Sequence, residues 1–149
     1  MLAKVFSPLS GLWPLPIRIC VGIIFAVHGY QKIFVQGIDN VTKFLGPGST
    51  PERPGLGLPL PELMAYLVSY AEFLGGICLI LGLFTRYASL ALTVVMIVAI
   101  FMVKVKVGLI GQRGTGYELD LALMSGCLAL LLAGPGPLSL EKLLFKREL

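Results

Sequence analysis

Charge is scarce in this sequence. Only 13% of its 149 residues are Asp, Glu, Lys or Arg, against roughly 25% in a typical soluble protein. Hydrophobic residues make up 56% of the chain and mean hydropathy is +0.89, which leaves little room for a soluble globule. Histidine occurs once, so bis-histidine haem ligation is excluded. The three cysteines, Cys20, Cys78 and Cys127, have none of the paired spacings that zinc, dithiol redox or haem attachment requires. They read as small apolar packing residues. There is no dinucleotide fingerprint, and Gly111, Gly114 and Gly116 are not followed by the Lys-Ser or Lys-Thr of a phosphate loop, so they read as a turn. No haem, flavin, nicotinamide or metal site is legible. The net charge of +4 comes from basic residues scattered singly, without the dense patch that nucleic acid needs.

What the chain has instead is long apolar runs. No charge interrupts Ile19 to Val27 or Tyr87 to Val103, and the spacing predicts four membrane-spanning helices over about 15–34, 62–84, 88–103 and 117–133. Pro14 and Pro16 stand where a first-turn proline costs no hydrogen bond. No small-residue cleavage site follows the first span, so it reads as a retained helix rather than a signal peptide. Between the first two spans, residues 36–61 carry Gly46, Pro47, Gly48, Pro51, Pro54, Gly55, Gly57 and Pro59, a density of breakers that excludes a continuous helix. The short connection at Thr85 and Arg86 makes the second and third spans an antiparallel hairpin. Gly134, Pro135, Gly136 and Pro137 end the fourth, and a short tail, 138–149, reads as an interfacial segment with Leu143, Leu144 and Phe145 toward lipid.

Because lipid satisfies no backbone hydrogen bonds, these spans must be helices, and the expected fold is all-α: one polytopic membrane domain, 1–149, built as a four-transmembrane-helix bundle. Four spans put both termini on one side. Lys4, Arg18, Arg86, Lys142, Lys146 and Arg147 fall on that side and Lys32, Lys43, Arg53, Lys104, Lys106 and Arg113 on the other, an even split. The basic tail abutting the last span favours both termini inside.

An ionisable residue inside a span is costly unless it is paired or faces a cavity, so each one asks for a reason. On the first span Arg18, His28 and Lys32 fall within about 80 degrees of one another, with Gly22 and Gly29 on the same side. On the second, Ala65, Ser69, Glu72 and Gly76 form a small-residue stripe, and Glu118, Ala122, Ser125 and Ala129 repeat the device on the fourth. Both glutamates are therefore expected to face the bundle interior. Counted along the helices, His28 lies roughly 10 Å, Lys32 a few Å, Glu72 about 15 Å and Glu118 a few Å from the long-loop surface. Arg18 and Arg86 belong to the opposite surface, where they are expected to contact each other's loop or lipid headgroups.

Two readings stand side by side. The four residues are interhelical ties, or they line a polar pocket in an apolar wall that suits a small amphipathic ligand such as a quinone. In the second reading His28 or Lys32 donates to its carbonyls and Glu72 handles a proton. For Lys32 snorkelling is an alternative, and Tyr30, Tyr66 and Tyr70 read as belt or core residues. A solute transporter is a third possibility, for which four spans without an evident repeat are few.

Three segments carry a resemblance: RICVGIIFAVHGYQKIF (Arg18 to Phe34), AEFLGGICLILGLFTRYASLAL (Ala71 to Leu92) and GYELDLALMSGCLALLLAGPGPLSLE (Gly116 to Glu141). Arg18, His28, Gly29 and Lys32, then Glu72, Gly75, Gly76, Gly82 and Arg86, then Tyr117 and Glu118, together resemble the DoxX family of small four-helix bacterial membrane proteins. The match extends over essentially the whole chain. It departs at the end of the third span, where family members often carry a histidine and this chain has Lys104 and Lys106. The resemblance implies a multi-pass protein of the bacterial inner membrane with cytoplasmic termini and a link to quinone redox chemistry, a relative being the membrane part of thiosulfate:quinone oxidoreductase. It leaves two roles: a subunit that binds a quinone through His28, Lys32, Glu72 and Glu118 and takes electrons from a partner protein, or a non-catalytic accessory subunit. The latter would pack on a larger membrane complex through its glycine faces and long loop.

Overall fold

The computed structural model describes residues 7–51, 53–111 and 116–146. A 3-10 turn, Ser7–Leu12, leads into α1, Pro14–Tyr30, whose first turn accommodates the prolines as their missing N–H groups allow. The helix widens into a π-helical turn, Gln31–Gln36, and stops at Gly37, where φ is +81°. The proline- and glycine-rich segment is more ordered than its breakers suggest. It holds a short amphipathic helix α2, Ile38–Leu45, packed on the next span, and a two-stranded antiparallel ribbon of β1, Gly48–Thr50, and β2, Arg53–Pro54. The breakers set where each piece ends.

Helix α3, Pro61–Leu81, ends at Gly82 in the left-handed region, with the N–H of Leu83 donating to Cys78 O at 2.9 Å. Only Gly82, Leu83 and Phe84 separate it from α4, Thr85–Val98, which widens into a second π-helical turn, Ala99–Lys104. Helix α5, Glu118–Ala133, and a short tail helix α6, Leu140–Phe145, complete the chain. Ser10–Gln36, Pro61–Leu81 and Thr85–Lys104 are each long and apolar enough to cross a membrane. The fourth helix, α5, is shorter at 16 residues, or about 24 Å. The protein is an all-α polytopic membrane protein.

The long helices form a ring: α1 packs most extensively on α3, α3 on α4, α4 on α5, and α5 returns to α1. Val21, Phe25, Leu79, Leu92, Met96, Leu123, Cys127 and Leu130 fill the centre. Outside, Ile23, Leu67, Leu74, Val94, Phe101 and Leu132 are exposed on successive faces. A soluble monomer does not tolerate so much apolar surface, and a bilayer requires it. Apolar side chains gain little by leaving lipid for one another, so helix contact depends on close backbone approach. The α1–α3 contact supplies it. A Cβ at Gly22 would stand 2.8 Å from the carbonyl oxygen of Gly76, and one at Gly29 would collide with the backbone of Phe73.

The terminal-side end is tied by charged groups acting on backbone. Arg18 is buried, and its Nη1 and Nη2 donate to Pro135 O at 2.5 Å and Leu138 O at 2.7 Å. Arg86 Nη1 donates to Leu131 O at 2.7 Å and Leu132 O at 3.2 Å. Both arginines therefore serve the carbonyls at and beyond the end of α5. Glu141, fully buried, accepts from the Thr85 N–H that opens α4 at 3.2 Å, while its own N–H donates to Gly82 O at 3.0 Å. Leu143, Leu144 and Phe145 remain exposed beside it. Lys4, Arg113, Gly114 and Arg147 lie outside the described residues.

Gly29→Val is expected to lower unfolding free energy by about 3 kcal/mol or to abolish the folded state, because the colliding atoms are backbone and cannot turn away. Gly11→Ala, with open space around it, is expected to change stability by less than about 0.5 kcal/mol. Melting of the two purified variants in one detergent compares them; equal stability would contradict the close approach.

Candidate functional site

The close α1–α3 approach brings a cation and an anion together inside the bundle. Glu72 sits on the buried stripe Ala65, Ser69, Glu72, Gly76 and Leu79 of α3, about 16 Å along the helix from its long-loop end. Lys32 reaches it from the π-helical turn that continues α1, and the ammonium donates to Glu72 Oε2. The carboxylate is almost wholly buried, whereas the lysine side chain is a quarter exposed, so the pair is reachable from one side. One turn before Glu72 on the same face, the Ser69 hydroxyl is fully buried and has no partner among the described residues. Tyr30, Phe34 and Phe73 stand beside the pair as an aromatic cluster, with ring centroids 5.0 to 6.5 Å apart.

A second ion pair occupies the α4–α5 side of the ring. Lys104, the last residue of the other π-helical turn, donates to Asp120 Oδ2 at 2.6 Å, and Asp120 is 7% exposed. Sequence reasoning missed this pair by assigning Lys104 to a loop and passing over Asp120. The signal was present: Asp120, Leu123, Cys127 and Leu130 recur at steps of three, four and three, the buried face of α5. In both pairs the lysine sits on a widened turn, where the extra residue per turn re-aims a side chain that a regular helix would point elsewhere.

The four candidate residues do not form one cluster. Lys32 and Glu72 meet. His28 is exposed and makes no hydrogen bond or ion pair among the described residues. Glu118 is also exposed, which corrects the expectation that it faces inward. Its stripe with Ala122, Ser125 and Ala129 lies toward the outside of the ring, because the larger side chains of α5 fill the centre and leave the small ones at the surface. Burying a charged pair repays its desolvation only while both partners are present. No three His, Cys, Asp or Glu side chains among the described residues come together as a metal-ligand set.

Removing one partner of the Lys32–Glu72 pair, as Glu72→Gln or Lys32→Met, is expected to cost about 3–5 kcal/mol of stability. Lys32→Met combined with Glu72→Leu is expected to cost much less than the two single losses added together. A double-mutant cycle from equilibrium unfolding in detergent measures the coupling, and additive losses would show that the two residues do not act as a pair.

With this geometry in place, comparison with known proteins gives concordant results. The family model described as DoxX matches residues 13–105. A Bacillus subtilis (strain 168) protein named "Putative oxidoreductase CatD" is 33% identical over 130 residues, covering 87% of this chain and 85% of that protein. A Mycobacterium tuberculosis membrane protein named as uncharacterized is 34% identical over 140 residues, 88% of this chain and 80% of its own. No solved structure matches the chain.

Proposed function

The chain belongs to the DoxX family of membrane proteins, and from that premise we propose that it binds a quinone or similar small redox molecule at the Lys32–Glu72 pair, with electrons supplied by a partner protein. The single observation that carries this reading is an ion pair held deep among apolar helices with its lysine partly open and, one turn away, a buried serine hydroxyl without a partner among the described residues. Small-residue stripes already supply helix packing, so a pair this deep is dispensable for association alone.

A quinone, when bound, supplies a couple that takes up two electrons and two protons. The residues of this chain would do the rest. Lys32 Nζ, a three-way donor, has hydrogen bonds to spare for a carbonyl oxygen after serving Glu72, and Ser69 Oγ can donate or accept. Glu72 would hold a proton against the ligand and exchange it toward the long-loop side through Lys32. Electrons must come from outside the chain, since its sequence offers no second histidine for a haem and no paired cysteines. The name of the Bacillus relative, "Putative oxidoreductase CatD", agrees with a redox role.

The same reading places the protein in the bacterial inner membrane with both termini cytoplasmic. A purely accessory role is less well supported, because Gly22, Gly29 and Gly76, the glycine faces that would contact a larger complex, are consumed between α1 and α3.

The test is binding of a short-chain benzoquinone and a short-chain naphthoquinone to the protein in lipid nanodiscs. Lys32→Met/Glu72→Leu, with its helical content checked by circular dichroism, is expected to weaken the bound quinone at least tenfold. Unchanged affinity in the folded double variant, or no binding to the parent protein, would overturn the assignment.

A further inference from the structure

The Lys104–Asp120 pair has no part in the site proposed above, yet it repeats the design of the Lys32–Glu72 pair. The long helices pair as two antiparallel hairpins, α1 with α3 and α4 with α5. In each, the first helix ends in a six-residue π-helical turn that carries a lysine, and the returning helix buries the acid that the lysine meets. The exposures match as well: both lysine side chains are 25% exposed, and the two carboxylate side chains are 4% and 9% exposed. Widened turns are rare in helices and recur at functional sites.

The two pairs stand on opposing walls. In the ring of helices the α1–α3 edge lies opposite the α4–α5 edge. Gly22 packs against Gly76 and Val21 against Gly126, which sets the level of α3 relative to α5. From those contacts Glu72 lies about 6 Å and Asp120 about 9 Å toward the long-loop end, within about one helical turn of a common level. On every helix the apolar core stops short of the charge: Phe25 precedes Lys32, Leu79 follows Glu72, Met96 precedes Lys104 and Leu123 follows Asp120. The core is therefore a floor. On its long-loop side the buried stripe of α3 continues from Glu72 to Ser69, whose hydroxyl is fully buried and without a partner among the described residues.

We infer that the two pairs are the two ends of one site, and that its ligand is a para-quinone whose ring lies between them, one carbonyl oxygen accepting from Lys32 and the other from Lys104. The inference rests on the quinone reading. It adds Lys104 and Asp120 to the binding residues and sets a requirement on the ligand, two acceptors at opposite ends of one ring. Each ammonium has three donors and gives one to its carboxylate, which leaves donors for a carbonyl. Packed helices have axes about 8–10 Å apart, so opposing walls of the ring are separated by a distance of the order that a quinone with a hydrogen bond at each end spans. Two independent helix ties would account for neither the matched level, nor the paired widened turns, nor the buried Ser69 hydroxyl.

The experiment reads the carbonyl stretching bands of tetramethyl-1,4-benzoquinone, labelled with carbon-13 at one carbonyl, by infrared difference spectroscopy of the protein in lipid nanodiscs. In the parent protein all of the bound carbonyl intensity should fall below the free-ligand frequencies. Lys104→Met/Asp120→Leu, which removes the second pair without stranding either charge, should weaken binding at least tenfold and return half of that intensity to the free frequencies, with helical content unchanged by circular dichroism. Lys104→Met/Asp120→Asn, closer in shape to the parent, takes its place if the first does not fold. A folded variant whose carbonyls both remain lowered, whatever its affinity, overturns the two-ended site, and so does a parent protein in which only half of the intensity is lowered. Either result leaves the Lys32–Glu72 site standing. Failure of the parent protein to bind the quinone overturns both.

Discussion

The approach of α1 to α3 at Gly22, Gly29 and Gly76 is the contact on which the rest of the bundle depends. In water a helix pair is driven together by apolar burial, but in lipid that drive is absent and the gain must come from backbone proximity and polar ties. Glycine supplies the proximity, and the proximity makes the tie possible. With the backbones this close, the Lys32 side chain, re-aimed by its widened turn, spans the remaining gap to Glu72. A thicker contact would separate the two charges and leave each with the full cost of burial.

Much of this architecture is legible in the sequence, because length and hydropathy are one-dimensional properties. The apolar runs locate the long helices to within a few residues and the breakers after α5 mark its end, but the hairpin connection read at Thr85 and Arg86 lies earlier, at Gly82, Leu83 and Phe84, and those two residues open α4. The pairing of Lys32 with Glu72 follows from two facts also visible there, an acid on a small-residue stripe and a base on the face that carries Gly22 and Gly29. What composition could not decide is which side of α5 turns inward. In a soluble protein polarity contrast between helix faces answers that question, but both the Glu118–Ala122–Ser125–Ala129 face and the Asp120–Leu123–Cys127–Leu130 face are mostly apolar. Small residues suggested the first, and volume chose the second, since the centre of the ring needs leucines to fill it. Helix α2 and its ribbon were hidden for another reason: the prolines and glycines around them dominate a reading based on breakers.

The chemistry divides along the same line. Two of the four residues singled out by type, Lys32 and Glu72, are joined inside the bundle, and the other two, His28 and Glu118, are exposed on its outside. Membership of the DoxX family gives this division a setting without dictating its use, and it is the burial of the Glu72 carboxylate and the Ser69 hydroxyl, without a partner among the described residues, that give the ligand reading its content. The second pair, Lys104 with Asp120, repeats the device across the ring and holds α5 to α4.

The ties of Arg18 also join the two ends of the chain. Its two carbonyl acceptors lie 117 and 120 residues further along the chain, beyond the end of the last long helix. Contacts between such distant residues form only after the intervening chain has been brought into place. The glycine contact of α1 with α3 involves no residue of α5, whereas the Arg18 guanidinium has its acceptors only once the turn after α5 is in place. Closure of the terminal face thus requires α5 and the turn after it to be in place, and an arginine placed in the first helix acts as the receptor for the last.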